Sequence, residues 1–133
     1  MPHLLLVALL FILPASVANA DECAKAESQR AMNACARKNY ENSDGALNVL
    51  YRQITQRLNG DNKTMQRLIS AQRAWVRFRD AECKFAKSGV SGGSIEALIF
   101  LGCANRLTRA RIDDLRTYLK CQEGDLSCPV PPK

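Results

Sequence analysis

The sequence predicts an all-α fold: an antiparallel helical hairpin plus a third long helix, stapled by disulfides. Three observations carry that expectation. Apolar residues recur at three- and four-residue spacing over three long stretches. Short runs rich in glycine, asparagine and serine separate those stretches. Six cysteines fall in a chain of only 133 residues, as in exported domains that rely on cross-links.

The first twenty residues read as an export signal. Leu4 to Leu13 are continuously apolar, Pro14 breaks the run, and Ala18-Asn19-Ala20 offers a small-x-small cleavage pattern. The run is too short for a membrane span, which needs roughly twenty residues. Residues 21–133 are then one domain, expected in the periplasm or secreted after cleavage near Ala20, and not membrane-spanning. The residues before Cys23 do not suit a lipid-attachment cysteine.

Helix one is expected from about Ser28 to Leu58. Ala36, Tyr40, Leu47, Tyr51, Ile54 and Leu58 keep one helical phase along it. Asn42-Ser43-Asp44-Gly45 has the local composition of a turn. The phase survives across that quartet, which favours one continuous or kinked helix. Asn59-Gly60-Asp61 ends it, with Gly60 as the left-handed residue and Asp61 as the next amino-terminal cap.

Helix two is expected from about Asn62 to Lys87. Leu68, Gln72, Trp75, Arg79 and Glu82 share one face, an unusual mixture for a plain core. Ser88 to Ser94 form a connecting loop, with Ser94 the expected cap of helix three and Glu96 in its first turn. Helix three continues to about Lys120 on the stripe Leu98, Leu101, Ala104, Thr108, Ile112, Leu115 and Leu119. Arg109 and Asp113 are expected to pair on its outer side. Pro129, Pro131 and Pro132 rule out further helix in the tail.

Six cysteines allow fifteen pairings. The preferred set is Cys23–Cys35, Cys83–Cys103 and Cys121–Cys128, the last closing the carboxy-terminal tail. Cys35–Cys83 with Cys23–Cys103 is a rival, since a hairpin also brings Cys35 near Cys83.

The chemistry available is narrow. His3 is the single histidine and lies in the leader, so a serine or cysteine nucleophile would lack its usual base. No cysteine pair has zinc-knuckle spacing. Asp80 and Glu82 are two apart on a helix and cannot flank a common bond as glycosidase carboxylates do. The sequence therefore predicts no enzyme, no metal and no cofactor. A net charge of +6 points to acidic or anionic partners. An exported chain without a binding motif is not expected to meet nucleic acid.

Asn48, Tyr51, Trp75, Arg79 and Asp80 form the sharpest polar-aromatic cluster. It could serve as an exposed binding surface, but a buried, hydrogen-bonded arginine is the favoured reading.

Several blocks resemble the LprI-type lysozyme inhibitor family over nearly the whole of residues 21–133. They are Met32-Asn33-Ala34-Cys35-Ala36 with Tyr40, Ala46-Leu47-Asn48 with Tyr51, and Gln72-Arg73-Ala74-Trp75. Phe78-Arg79-Asp80-Ala81-Glu82-Cys83, Gly92-Gly93-Ser94-Ile95 and Thr108-Arg109-Ala110-Arg111-Ile112 complete the set. The Cys121–Cys128 tail is outside this pattern.

The resemblance implies a protein partner, a lysozyme or another muramidase, inhibited by occlusion of its cleft. Ser91, Gly92, Gly93 and Ser94 are the expected contact residues, because a narrow loop of hydroxyls and backbone N–H groups suits a cleft containing two carboxyls. A tight connector whose glycines allow the turn is the favoured reading of the same residues, and the two roles are compatible. A strongly basic lysozyme would be repelled at long range, so a less basic muramidase is the easier target. The alternative is a non-enzymatic envelope module contacting anionic glycan, lipid or another envelope protein. The sequence does not set the oligomeric state.

Overall fold

The computed structural model describes Cys23 and residues 25–133; the export-signal reading of residues 1–20 lies outside them. Among the described residues the regular structure is helical throughout: α1 (Gln29–Arg57), α2 (Asn62–Ala86), a 3-10 turn (Ser88–Val90) and α3 (Glu96–Leu119).

Helix α1 begins where the Ser28 hydroxyl accepts the Ala31 N–H at 3.1 Å. It then runs unbroken through Asn42-Ser43-Asp44-Gly45. Tertiary partners outweigh the local turn preference there. Ser43 donates to Asn105 Oδ1 at 2.6 Å, and Asp44 faces Arg79 at 3.5 Å. Gly60, at φ +93°, turns the chain, and the Asp61 carboxylate caps α2 by accepting the Thr64 N–H at 3.0 Å.

Hydrogen-bonded pairs fix the directions of the helices. Asn33 with Ser94, Ser43 with Asn105, and Arg57 with Leu119 join α1 to α3 at sequence separations of 61, 62 and 62. A constant separation means two parallel helices in fixed register. Along α2 the partners on α3 run backwards: Gln72 meets Arg111 and Cys83 meets Cys103, and beyond the end of α2 Lys87 meets Glu96. The bundle is therefore up-down-up. Its principal interface lies between α1 and α3, with α2 also laid against α3. The hairpin of α1 and α2 is present, but its two helices meet mainly through long side chains.

Two buried clusters occupy the two ends. One gathers Leu47, Ile54, Leu58, Ile112, Leu115, Cys121 and Val130, with Trp75 and Leu68 against it. The other is small: Cys23, Ala36 and Leu101, flanked by Leu98 and Phe100. Fully burying a leucine or isoleucine stabilises the fold by about 1.5–3 kcal/mol, so most of the apolar stabilisation sits at the first end. Asn105 and Thr108 are also buried. The Thr108 hydroxyl finds no hydrogen-bond partner among the described residues.

Cys23–Cys35 and Cys83–Cys103 are disulfides, each with a Cα–Cα distance of 5.5 Å, and Cys121 and Cys128 face each other at a Cα–Cα distance of 5.8 Å. The rival pairing fails because α1 lies mainly against α3, leaving Cys83 to face Cys103. In the tail, Gly124 at φ +85° and an Asp125–Ser127 turn fold the chain back, so that Val130 becomes buried.

One expectation needs correction. Ser94 does not cap α3 with its side chain; Ile95 occupies the cap position without a side-chain bond. The reason is a turn in which the Glu96 N–H reaches the Gly93 carbonyl at 3.1 Å. That turn leaves the Ser94 carbonyl to accept the Asn33 side-chain N–H at 3.0 Å. On the outer side of α3, Asp113 pairs with Arg116 at 3.2 Å.

Candidate functional site

The connection from α2 to α3 is exposed yet internally braced. Lys87 and Glu96, at the two feet of the loop, form an ion pair. The other Glu96 oxygen accepts the Gly92 N–H at 2.6 Å. These contacts hold the Glu96 carboxyl below the usual glutamate range: the Lys87 hydrogen bond has the largest effect, then the Gly92 N–H, while partial desolvation opposes both. Within the loop the Val90 N–H reaches the Lys87 carbonyl and the Gly93 N–H reaches the Val90 carbonyl, each at 3.0 Å.

Glycine is required at position 92, where φ is +81°, a region that side-chain-bearing residues rarely enter. Below the loop, Cys83–Cys103 ties α2 to α3, and Asn33 ties Ser94 to α1. Ser91, Gly92, Gly93 and Ser94 are thus brought together as one exposed turn on a fixed base.

Beside it lies an open groove of about 600 Å³. Its floor is Ala97, Phe100 and Leu101, and Arg37, Lys84 and Lys87 stand on its walls. Because Lys87 is held by Glu96, Arg37 and Lys84 are the cations facing a ligand. The groove can accept an acidic group against an apolar floor. Sequence periodicity does not place Arg37 of α1 and Lys84 of α2 on one groove, because they come to it only through packing around α3.

The polar-aromatic cluster has a different character. Arg79 is only 8 % exposed. Its guanidinium reaches Asp80 at 2.8 Å and Asp44 at 3.5 Å, and lies 5.5 Å from the Tyr40 ring centroid and 5.2 Å from that of Trp75. A cation between two aromatic faces and two carboxylates is paired on every side. Asn48 joins by donating to Asp44 at 3.3 Å. Tyr51 rests against the larger apolar cluster and borders the same cleft, about 470 Å³ between α1 and α2.

Of the five residues singled out from the sequence, Trp75, Arg79 and Asp80 are therefore in direct contact. Asn48 and Tyr51 are attached through neighbours. Sequence reasoning misses Asp44 and Tyr40 as members: Asp44 sits in a turn-like quartet, and Tyr40 has the spacing of an ordinary core position. Burial raises the Tyr40 phenol above its ordinary range; Arg79 opposes the rise and Asp44 and Asp80 add to it. Asp80 is bound to Arg79.

A protein-family model described as "Lysozyme inhibitor LprI" matches residues 20–115. Over 114 residues the chain is 32% identical to an uncharacterized protein of Rhizobium meliloti, covering 77% of this chain and 82% of that relative. A crystal structure of a DUF1311-family protein of Pseudomonas putida superposes with a TM-score of 0.59 at 23% identity. The match covers 64% of this chain and 87% of that one and supports the shared fold.

Proposed function

Starting from the fact that this chain belongs to the lysozyme inhibitor LprI family, we propose that it blocks a muramidase cleft outside the cytoplasm with the loop 88–95. It is a binding protein in this reading, with no catalytic step of its own. The observation that carries the proposal is the bracing of the loop. A segment that must enter a cleft loses least entropy if it is ordered beforehand, and here Glu96, Lys87, Asn33 and the Cys83–Cys103 bridge supply that order.

The chemistry is complementary as well. A muramidase cleft holds two carboxyl groups. Ser94 offers a hydroxyl donor at the exposed turn, the exposed Ser91 hydroxyl is held only by a long 3.5 Å bond to the Lys87 carbonyl, and Arg37 and Lys84 add positive charge within the adjoining groove. The net charge of +6 disfavours a strongly basic lysozyme at long range and favours a neutral or acidic muramidase.

A lysis assay on cell-wall substrate tests this, using purified oxidised protein and muramidases of differing charge. Inhibition should be strongest for the least basic enzyme. Ser91→Glu, which sets a carboxylate against the cleft acids, should weaken it about tenfold, about 1.4 kcal/mol. Failure to inhibit any muramidase, or full inhibition by Ser91→Glu, would remove the proposal.

A further inference from the structure

Helix α2 has another organised face, which the bundle does not use. Leu68, Gln72, Trp75, Arg79 and Cys83 turn inward. On the opposite side Ala71, Ala74, Phe78, Ala81 and Phe85 repeat at alternating three- and four-residue intervals and therefore form one exposed strip. Its two large members stand well out, Phe78 at 54 % and Phe85 at 74 % exposure.

The charge around this strip is predominantly positive, with Glu82 the acid that borders it. Helix α2 carries six basic side chains against two acidic ones, a net +4 of the chain's +6. Lys63, Arg67, Arg73, Arg77 and Lys84 are all exposed. Of the two acids, Asp80 is engaged by Arg79, and Glu82 is half-buried.

From this arrangement we propose that the outer face of α2 docks onto anionic phospholipid surfaces. The cations from Lys63 to Lys84 extend over about 32 Å of helix at 1.5 Å per residue, a length suited to a plane of charge rather than a single acidic pocket. Phe78 and Phe85 lie two turns apart on the same side with Ala81 between them, so both rings can enter the interfacial layer while the flanking cations meet phosphate groups. A narrow apolar strip with a basic surround gives reversible surface binding, strengthened by each cation near the anionic surface. A second copy of the chain fits poorly, because face-to-face pairing would bring Arg67, Arg77 and Lys84 against like charges. The docking surface does not include the loop assigned to muramidase binding and touches its groove only at Lys84.

Co-sedimentation tests it with the full oxidised protein. Vesicles of phosphatidylglycerol and phosphatidylethanolamine should carry the protein down, phosphatidylcholine vesicles should not, and about 0.5 M salt should release it. Phe78→Ser/Phe85→Ser and Arg67→Glu/Arg77→Glu should each weaken binding about tenfold. Val49→Ser, at an exposed apolar site on α1, should bind normally. Circular dichroism should match wild type for all of them, and Phe78→Ser/Phe85→Ser should retain inhibition in the lysis assay. Absence of sedimentation with anionic vesicles would overturn the proposal. So would binding indifferent to both α2 variants, or a wild-type dimer dispersed by Phe78→Ser/Phe85→Ser without vesicle binding.

Discussion

Where α1 and α3 finish, Leu47, Ile54, Leu58, Ile112 and Leu115 pack together, with Trp75 and the returning tail closed over them. Where the same helices begin, the buried apolar set shrinks to Cys23, Ala36 and Leu101. That smaller end is held by two disulfides, the Lys87–Glu96–Gly92 clamp and the Asn33–Ser94 bond. Between the ends, the Ser43–Asn105 bond and the caged Arg79 set helix register by directional contacts. The contrast teaches that the loop is mounted on the end stabilised by cross-links and polar bonds. Apolar burial stabilises the bundle as a whole but supplies little order at that end.

The largest effect should come from attacking the apolar end. Leu115 is fully buried, and Leu115→Ala should cost about 3–5 kcal/mol, the transfer loss plus the cavity. Thermal unfolding would measure it, and the surviving folded fraction should still inhibit. Cutting the cross-linked end should cost slightly less and act differently. Cys83→Ser/Cys103→Ser releases a closure spanning 20 residues, worth about 3 kcal/mol in the chain-entropy picture. Here inhibition should weaken by more than the unfolded fraction explains, because the base of the loop is freed. Equal losses of inhibition per folded molecule in the two variants would break the comparison.

A smaller effect is expected at the boundary between the ends. Thr108→Val keeps the shape while removing a buried hydroxyl without a partner among the described residues, and should stabilise by about 1 kcal/mol. Denaturant unfolding would show it as a higher midpoint with an unchanged slope.

The smallest effect is one of pH. Glu96 has a lowered pKa in the folded protein, so its contribution is present above the ordinary glutamate pKa and is lost as pH falls through the lowered value. The Gly92 amide resonance should therefore titrate in acid, below about pH 4.3, while amides around Leu115 stay unmoved. Glu96→Gln should abolish that titration.

Much of this architecture is legible from periodicity. The helix stripes locate Leu47, Ile54, Leu101, Thr108, Ile112 and Leu115 correctly, because burial on a helix leaves a repeating trace. What escapes is the part with no period. The apolar phase carried across Asn42-Ser43-Asp44-Gly45 gives the continuous helix despite its turn-like composition, but it does not reveal the partners Asn105 and Arg79 that Ser43 and Asp44 find there. Val130 lies between prolines, and nothing in its neighbours announces burial. In the loop, the sequence marks glycines and serines but not the Glu96 clamp, because the Lys87–Glu96 pairing depends on how the intervening turn folds. Ser94 reads wrongly as a cap for the same reason.

The two ends differ most directly in which of them a muramidase should cover, and amide hydrogen exchange can locate that surface. Exchange would be followed on the oxidised protein alone and saturated with a muramidase that it inhibits. The account predicts slowed exchange concentrated in residues 88–95 and the adjoining start of α3, with the amides around Ile54 and Leu115 unchanged. Slowing confined to the tail or to α2, with residues 88–95 exchanging as in the free protein, would contradict it.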